Sequence, residues 1–175
     1  DNRWRLLSGE RQVGDSLEKI RADHVARYRL SVEFFQNNGC DRRMRILDCA
    51  CGCGYGSWML ANGLDCDVVA IDISNESIQY GNEHYLAENI QYVCADIMDE
   101  RSLNGQFDAV ISFETIEYIV DDAMLVKRFF DVLAPGGVLC ISTPNADVFP
   151  LAGHPFHVRH YKPEEIITLL EKTGF

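Results

Sequence analysis

The sequence predicts an α/β fold: a Rossmann-like, open, mainly parallel sheet with helices on both faces. Three observations carry this expectation. Strand-like and helix-like segments alternate along the chain. The strand-like segments are near-continuous apolar runs, as in strands covered on both sides. The first of them also runs straight into a glycine-rich turn followed by helix formers, Asp48-Cys-Ala-Cys-Gly-Cys-Gly-Tyr-Gly56. With 175 residues, 47% of them hydrophobic, the chain suits one compact domain with a sizeable core. Residues 1–40 read as a helical cap, 43–145 as the ligand-binding core, and 146–175 as a loop on the substrate side with a last helix.

Taken in order, 16–36 is expected to be helical, because Leu17, Ile20, Val25, Tyr28, Val32 and Phe35 recur near helical spacing and Asn37-Asn38-Gly39 follows. Residues 44–50 (MRILDCA) form a first strand, and 55–61 a helix stopped by Asn62-Gly63. DVVAID (67–72) is the second strand, Ser74 or Asn75 caps a helix reaching about Glu88, and IQYVCAD (90–96) is the third strand. FDAVISF (107–113) is the fourth. A helix over 121–133, a Pro135-Gly136-Gly137 turn and a fifth strand over 138–143 complete the core, and 163–173 is a final helix.

The formal net charge of −11 argues against a broad grip on nucleic acid, which needs a basic face. The arginines are nevertheless skewed: Arg3, Arg5, Arg11, Arg21, Arg27, Arg29, Arg42, Arg43 and Arg45 precede the acidic remainder, as a solvated helix surface or a dock for an anionic group. No apolar run is long enough to span a membrane and no secretory leader is evident, so a cytoplasmic protein is expected. Seven cysteines, an odd number, fit reduced thiols. Cys49, Cys51 and Cys53 are spaced too tightly for a zinc pair and no second pair follows, so no metal is expected there.

In a sheet of this kind a ligand lies beyond the C-terminal strand ends. Three of those ends carry acids. Asp48 would repel a pyrophosphate and welcome an ammonium. The glycines run Gly52, Gly54, Gly56, with Ser57 where a dinucleotide fingerprint has its third glycine. Both details favour S-adenosylmethionine over NAD, with Gly52 and Gly54 allowing close backbone approach. Asp72, 24 residues after Asp48, suits the ribose hydroxyls, and Ile73 the adenine face. Asp96 would accept from the adenine amino group while the Ile97 amide donates to the ring.

The chain resembles class I S-adenosylmethionine-dependent methyltransferases through ILDCACGCGYGS (46–57), VVAIDIS (68–74), CADIMD (94–99), FDAVISFETIEYI (107–119) and LAPGGVLCISTPN (133–145). It is also similar to members associated with bacterial surface-polysaccharide and glycan biosynthesis, through HVARYR (24–29), FETIEY (113–118) and HPFHVRHYKPEE (154–165). The resemblance implies S-adenosyl-L-methionine as cofactor, S-adenosyl-L-homocysteine as product, and contacts from Asp48, Ala50, Gly52, Gly54, Asp72, Ile73, Asp96, Ile97, Phe113 and Arg27. Ala50 replaces the usual first glycine of the turn. Family sheets carry two further strands, so this one reads as part of a longer chain or as an edge covered in a homo-oligomer.

The implied reaction is an in-line displacement at the methyl carbon onto a small-molecule acceptor, here a hydroxyl of a sugar or glycan intermediate. His157 is the first candidate for general base because imidazole titrates near neutrality, and Glu117 the second. In related quinone-pathway enzymes Glu-x-x-Glu-His is linked to a divalent cation, but Tyr118 stands in the histidine's place. Methylation of an amine, which needs no strong base, and a domain that binds without catalysis are the alternatives.

Overall fold

The computed structural model describes residues 4–38, 42–99, 101–103 and 105–175. Arg3, Gly39 and Cys40 therefore lie outside the described residues. A five-stranded, wholly parallel sheet forms the centre, in the order β3-β2-β1-β4-β5. Its strands are β1 (Met44–Cys49), β2 (Cys66–Asp72), β3 (Ile90–Cys94), β4 (Phe107–Phe113) and β5 (Leu133–Ser142). The helices are α1 (Ala22–Asn38), α2 (Tyr55–Gly63), α3 (Asn75–His84), α4 (Asp122–Val132) and α5 (Pro163–Thr173). None is long and apolar enough to cross a membrane.

Alternate residues of one strand feed opposite cores, which is why the central strands are largely apolar. Ile46, Val68, Ala70, Ala109 and Ile111 pack with Tyr28 and Phe35 of α1 and Leu60 of α2. Leu47, Ile71 and Val110 face the other way, onto Leu125 and Phe129 of α4. Local chemistry sets the helix ends: the Ser74 hydroxyl accepts from Ser77 N at 3.3 Å at the start of α3, and the Asp121 carboxylate from Met124 N at 3.0 Å at the start of α4.

Several element ends shift by one or two residues, α2 among them, which runs through Asn62 to Gly63, and four boundaries differ further from the sequence expectation. The helix over 16–36 is broken into a 3-10 turn (Leu17–Lys19) and α1, because Ile20 takes an extended backbone and buries its side chain. The second change is at α3, which ends at His84: Tyr85 leaves the helix to bury its ring and donate its hydroxyl to Gly14 O at 2.6 Å. β3 stops at Cys94, where Ala95 N makes the next bond, to Asp72 O. Finally, Pro135-Gly136-Gly137 is a bulge inside β5 and not a turn before it. The pairing shifts between Phe107↔Leu133 and Ala109↔Val138, and Gly136 absorbs the kink at φ 78°.

The strand order reverses between β1 and β4. A crevice opens above their C-terminal ends, and Trp4, Glu10 and Arg11 of the N-terminal segment line it.

Candidate active site

Alternating left-handed residues build the turn after β1: Ala50 at φ 62°, Gly52 at 57° and Gly54 at 90°. Ala50 sits in the conformation where an L side chain is strained, which explains why glycine is usual there. Gly56 is required for a different reason. A Cβ there would lie 2.0 Å from the Tyr28 ring, which wedges between α2 and β4 with edge contacts to Tyr55 and Phe113. The Tyr28 hydroxyl donates to Asp48 Oδ1 at 2.9 Å, and Ser57 donates to Oδ2 at 2.6 Å. Asp48 is thus fully buried behind the turn, tying α1 and α2 to β1, and is not on the crevice wall. Burial pushes its carboxyl up to about 6 despite the two donors.

The crevice holds a cavity of about 300 Å³. One wall is Ala50, Gly52, Asp72 and Ile73; a second is Asp96, Ile97 and Met98; the third is Glu114, Thr115 and Tyr118. Asp72 Oδ2 accepts from Gly52 N at 2.9 Å, while Oδ1 accepts from Ser74 N at 2.8 Å and the Arg11 guanidinium at 2.9 Å. Asp96 is exposed, with Oδ1 capping Met98 N, and Ile97 is buried beside it. Phe113 and Arg27 do not line this cavity but an adjoining recess of about 70 Å³, with His24, Tyr28 and Tyr55, which shares Glu10, Arg11, Ala50, Gly52 and Glu114 with it. Arg27 pairs with Glu114 and Asp23, each at 3.5 Å.

Of the two expected bases, neither reaches the wall directly. Glu117 points into the protein, where its Oε2 accepts from Thr143 at 3.3 Å and burial pushes its carboxyl up to about 8. Its carbonyl oxygen holds the histidine loop by accepting from Val158 N at 2.7 Å. His157 stands one hydrogen bond behind the wall, with Nε2 3.1 Å from the Tyr118 hydroxyl. Burial, and then the neighbouring His160 and His154 rings, lower its basicity. Tyr118 also donates to Glu10 Oε2 at 2.7 Å; burial and that bond raise its phenol, which stays protonated.

The sequence expectation missed Glu10 and Arg11. They stand in a polar stretch with no periodicity, and only the path of the chain over the crevice brings them to it. Several of the skewed arginines are held in ion pairs: Arg5 with Glu76, Arg21 with Asp23, Arg42 with Asp108, and Arg43 with Asp65 and Asp67. The cysteines of the turn are buried free thiols, their acidity suppressed by that burial.

An open parallel sheet with a crevice at the reversal of strand order is a Rossmann-like fold. The family description "Methyltransferase domain" matches residues 46–137, and the chain belongs to that family. It is 30% identical, over 97% of its length, to a "probable S-adenosylmethionine-dependent methyltransferase" of Mycolicibacterium smegmatis, and spans 65% of that relative. It is 28% identical over 97% of its length to the O-methyltransferase rstn1 of Aspergillus nomiae, spanning 82% of it. In structure it is similar to the N-methyltransferase NodS of Bradyrhizobium japonicum, solved with S-adenosyl-L-homocysteine: the TM-score is 0.76 at 22% identity, covering 98% of this chain and 86% of NodS.

Proposed function

We propose that this chain binds S-adenosyl-L-methionine in the crevice and directs its methyl group onto a hydroxyl of a small sugar or glycan intermediate. The observation that carries this reading is the cavity over the β1/β4 reversal, where one carboxylate beside a glycine turn faces apolar residues at the neighbouring strand end. The lining suits a nucleoside. Asp72 would accept from the ribose hydroxyls as Arg11 gives up its ion pair, and Ile73 and Ile97 would flank the base, with Asp96 at its polar edge. Gly52 contributes no Cβ, and the space where one would stand is open.

When bound, the cofactor supplies an electrophilic methyl on a sulfonium. The protein's part is to hold the acceptor in line and to take its proton. Glu10 and Tyr118 line the same cavity as Asp72 and Gly52 and are hydrogen-bonded to each other, and the Glu10 carboxylate is the proton acceptor of this pair. Tyr118 orients it, and His157 anchors the phenol oxygen from behind. His157 is thereby a positioning residue in this reading and not the base.

The test is a turnover assay that follows S-adenosyl-L-homocysteine release over a panel of hydroxylated sugars and amino sugars. Glu10→Gln should cut turnover of a hydroxyl acceptor about 100-fold or more, the contribution of a positioned base. Turnover of amines alone, insensitive to Glu10→Gln, would replace this reading with N-methylation.

A further inference from the structure

We propose that His154, His157 and His160 form a binding site for a divalent transition-metal ion of the zinc type, with His157 coordinating through Nδ1 and His160 through Nε2. The site does not depend on the methyl-transfer reading. One ring nitrogen from each histidine lies within 4.8 Å of the others, on a loop between β5 and α5. Imidazole is a preferred ligand for zinc, and three histidines with an open fourth position are a common zinc set.

Counting protons makes the case specific. His160 Nδ1 lies 2.7 Å from Phe149 O, and a carbonyl only accepts, so Nδ1 carries the hydrogen and neutral His160 presents a lone pair at Nε2. On the other side, the Glu10 carboxylate also only accepts, so the single Tyr118 proton goes to it at 2.7 Å. The phenol oxygen therefore turns a lone pair toward His157 Nε2, which must carry the hydrogen. Neutral His157 is left with a lone pair at Nδ1. That lone pair faces the one on His160 Nε2 at 2.6 Å. Two lone pairs at that distance repel unless a cation lies between them.

A proton is one such cation. A metal ion is the one that also recruits His154, whose ring stacks on His157 at 4.8 Å. The outer bonds fit the second alternative as well. Metal-bound histidines characteristically donate their remaining N–H to a carbonyl or, through a partner, to a carboxylate, as His160 does to Phe149 and His157 does through Tyr118 to Glu10. Around a tetrahedral ion with bonds of about 2.0–2.1 Å any two ligand nitrogens stand roughly 3.3 Å apart. The His157–His160 pair would therefore open by less than an ångström, and the ring of exposed His154, whose nitrogen lies within 4.8 Å of theirs, would swing inward by up to about 1.5 Å to join them. Occupancy would fix the hydrogen on His157 Nε2, and so fix the phenol that reaches the crevice.

The experiment is a titration of chelator-treated, reduced protein with zinc chloride in competition with a chromophoric chelator, repeated with cobalt chloride and followed by absorption. One equivalent should bind. Bound cobalt should give visible bands without the near-ultraviolet charge-transfer absorption of thiolate ligation. His154→Ala and His160→Ala should each weaken binding beyond the roughly 10–100-fold cost of removing an outer-shell partner, and Tyr118→Phe should weaken it by about that outer-shell amount. His154 is exposed, so His154→Ala should unfold at the wild-type temperature when metal-free. Failure to bind zinc, thiolate bands from cobalt, or wild-type affinity in the two alanine variants would each overturn the proposal. A histidine pair bridged by a proton would give the first of these results.

Discussion

Replacing Glu117 by glutamine should leave stability within about 1 kcal/mol of wild type at pH 6 and make the variant the more stable protein at pH 9. The carboxyl is enclosed, accepts one hydrogen bond from Thr143, and is pushed up to about 8 from an ordinary 4.5. The folded state thus holds this proton more tightly than the unfolded one. Its contribution is fully present below pH 4.5 and is lost as pH rises through about 8, at roughly 1.4 kcal/mol per pH unit along the slope. Between pH 6 and pH 9 the slope flattens above 8, and the loss comes to about 2.5 kcal/mol. At roughly 2–4 °C of melting temperature per kcal/mol for a chain of this size, the gap between glutamine and glutamate forms should widen by about 5–10 °C. Thermal unfolding of both proteins at both pH values measures this, and the difference cancels every other titration. Parallel melting temperatures from pH 6 to pH 9 would refute the reasoning and leave Glu117 ionised in the fold.

Other outcomes follow from the same geometry. Gly56→Ala drives a methyl into the Tyr28 ring and should destabilise the protein by about 1–3 kcal/mol in urea unfolding; no change would mean that Tyr28 is not wedged there. Ala50→Gly relieves a left-handed alanine and should raise stability by about 1 kcal/mol, seen as a higher melting temperature. Tyr118→Phe removes the hydroxyl that orients Glu10 and should lower kcat about 100-fold while S-adenosyl-L-homocysteine binds as before; a matching loss of binding would move Tyr118 into the cofactor site.

Much of the sheet was legible because the central strands β1, β2 and β4 are buried on both faces, which leaves a near-continuous apolar signal in each. β4 over Phe107–Phe113 coincides with its expected limits for that reason, and α5 over Pro163–Thr173 does so because Pro163 opens it and left-handed Gly174 closes it. Boundaries set by single long-range contacts were not legible: Ile20 leaves helical geometry to reach the core, and Tyr85 leaves it to reach Gly14. The same distinction applies to the crevice. Asp72, Ile73, Asp96 and Ile97 are on its walls because strand ends put them there, whereas Asp48 is drawn inward by Tyr28, which lies 20 residues earlier. Glu10 meets Tyr118 across 108 residues of chain, and no local pattern signals such a pairing.

The central claim, that Asp72 and the turn beside it hold a nucleoside with a sulfur-linked amino acid, is tested most directly by isothermal titration with S-adenosyl-L-homocysteine and with NAD. The expected result is saturable heat with S-adenosyl-L-homocysteine, weakened about 10–100-fold in Asp72→Asn by the loss of charge-assisted bonds to the ribose, and none with NAD. Heat with NAD and none with S-adenosyl-L-homocysteine would contradict it.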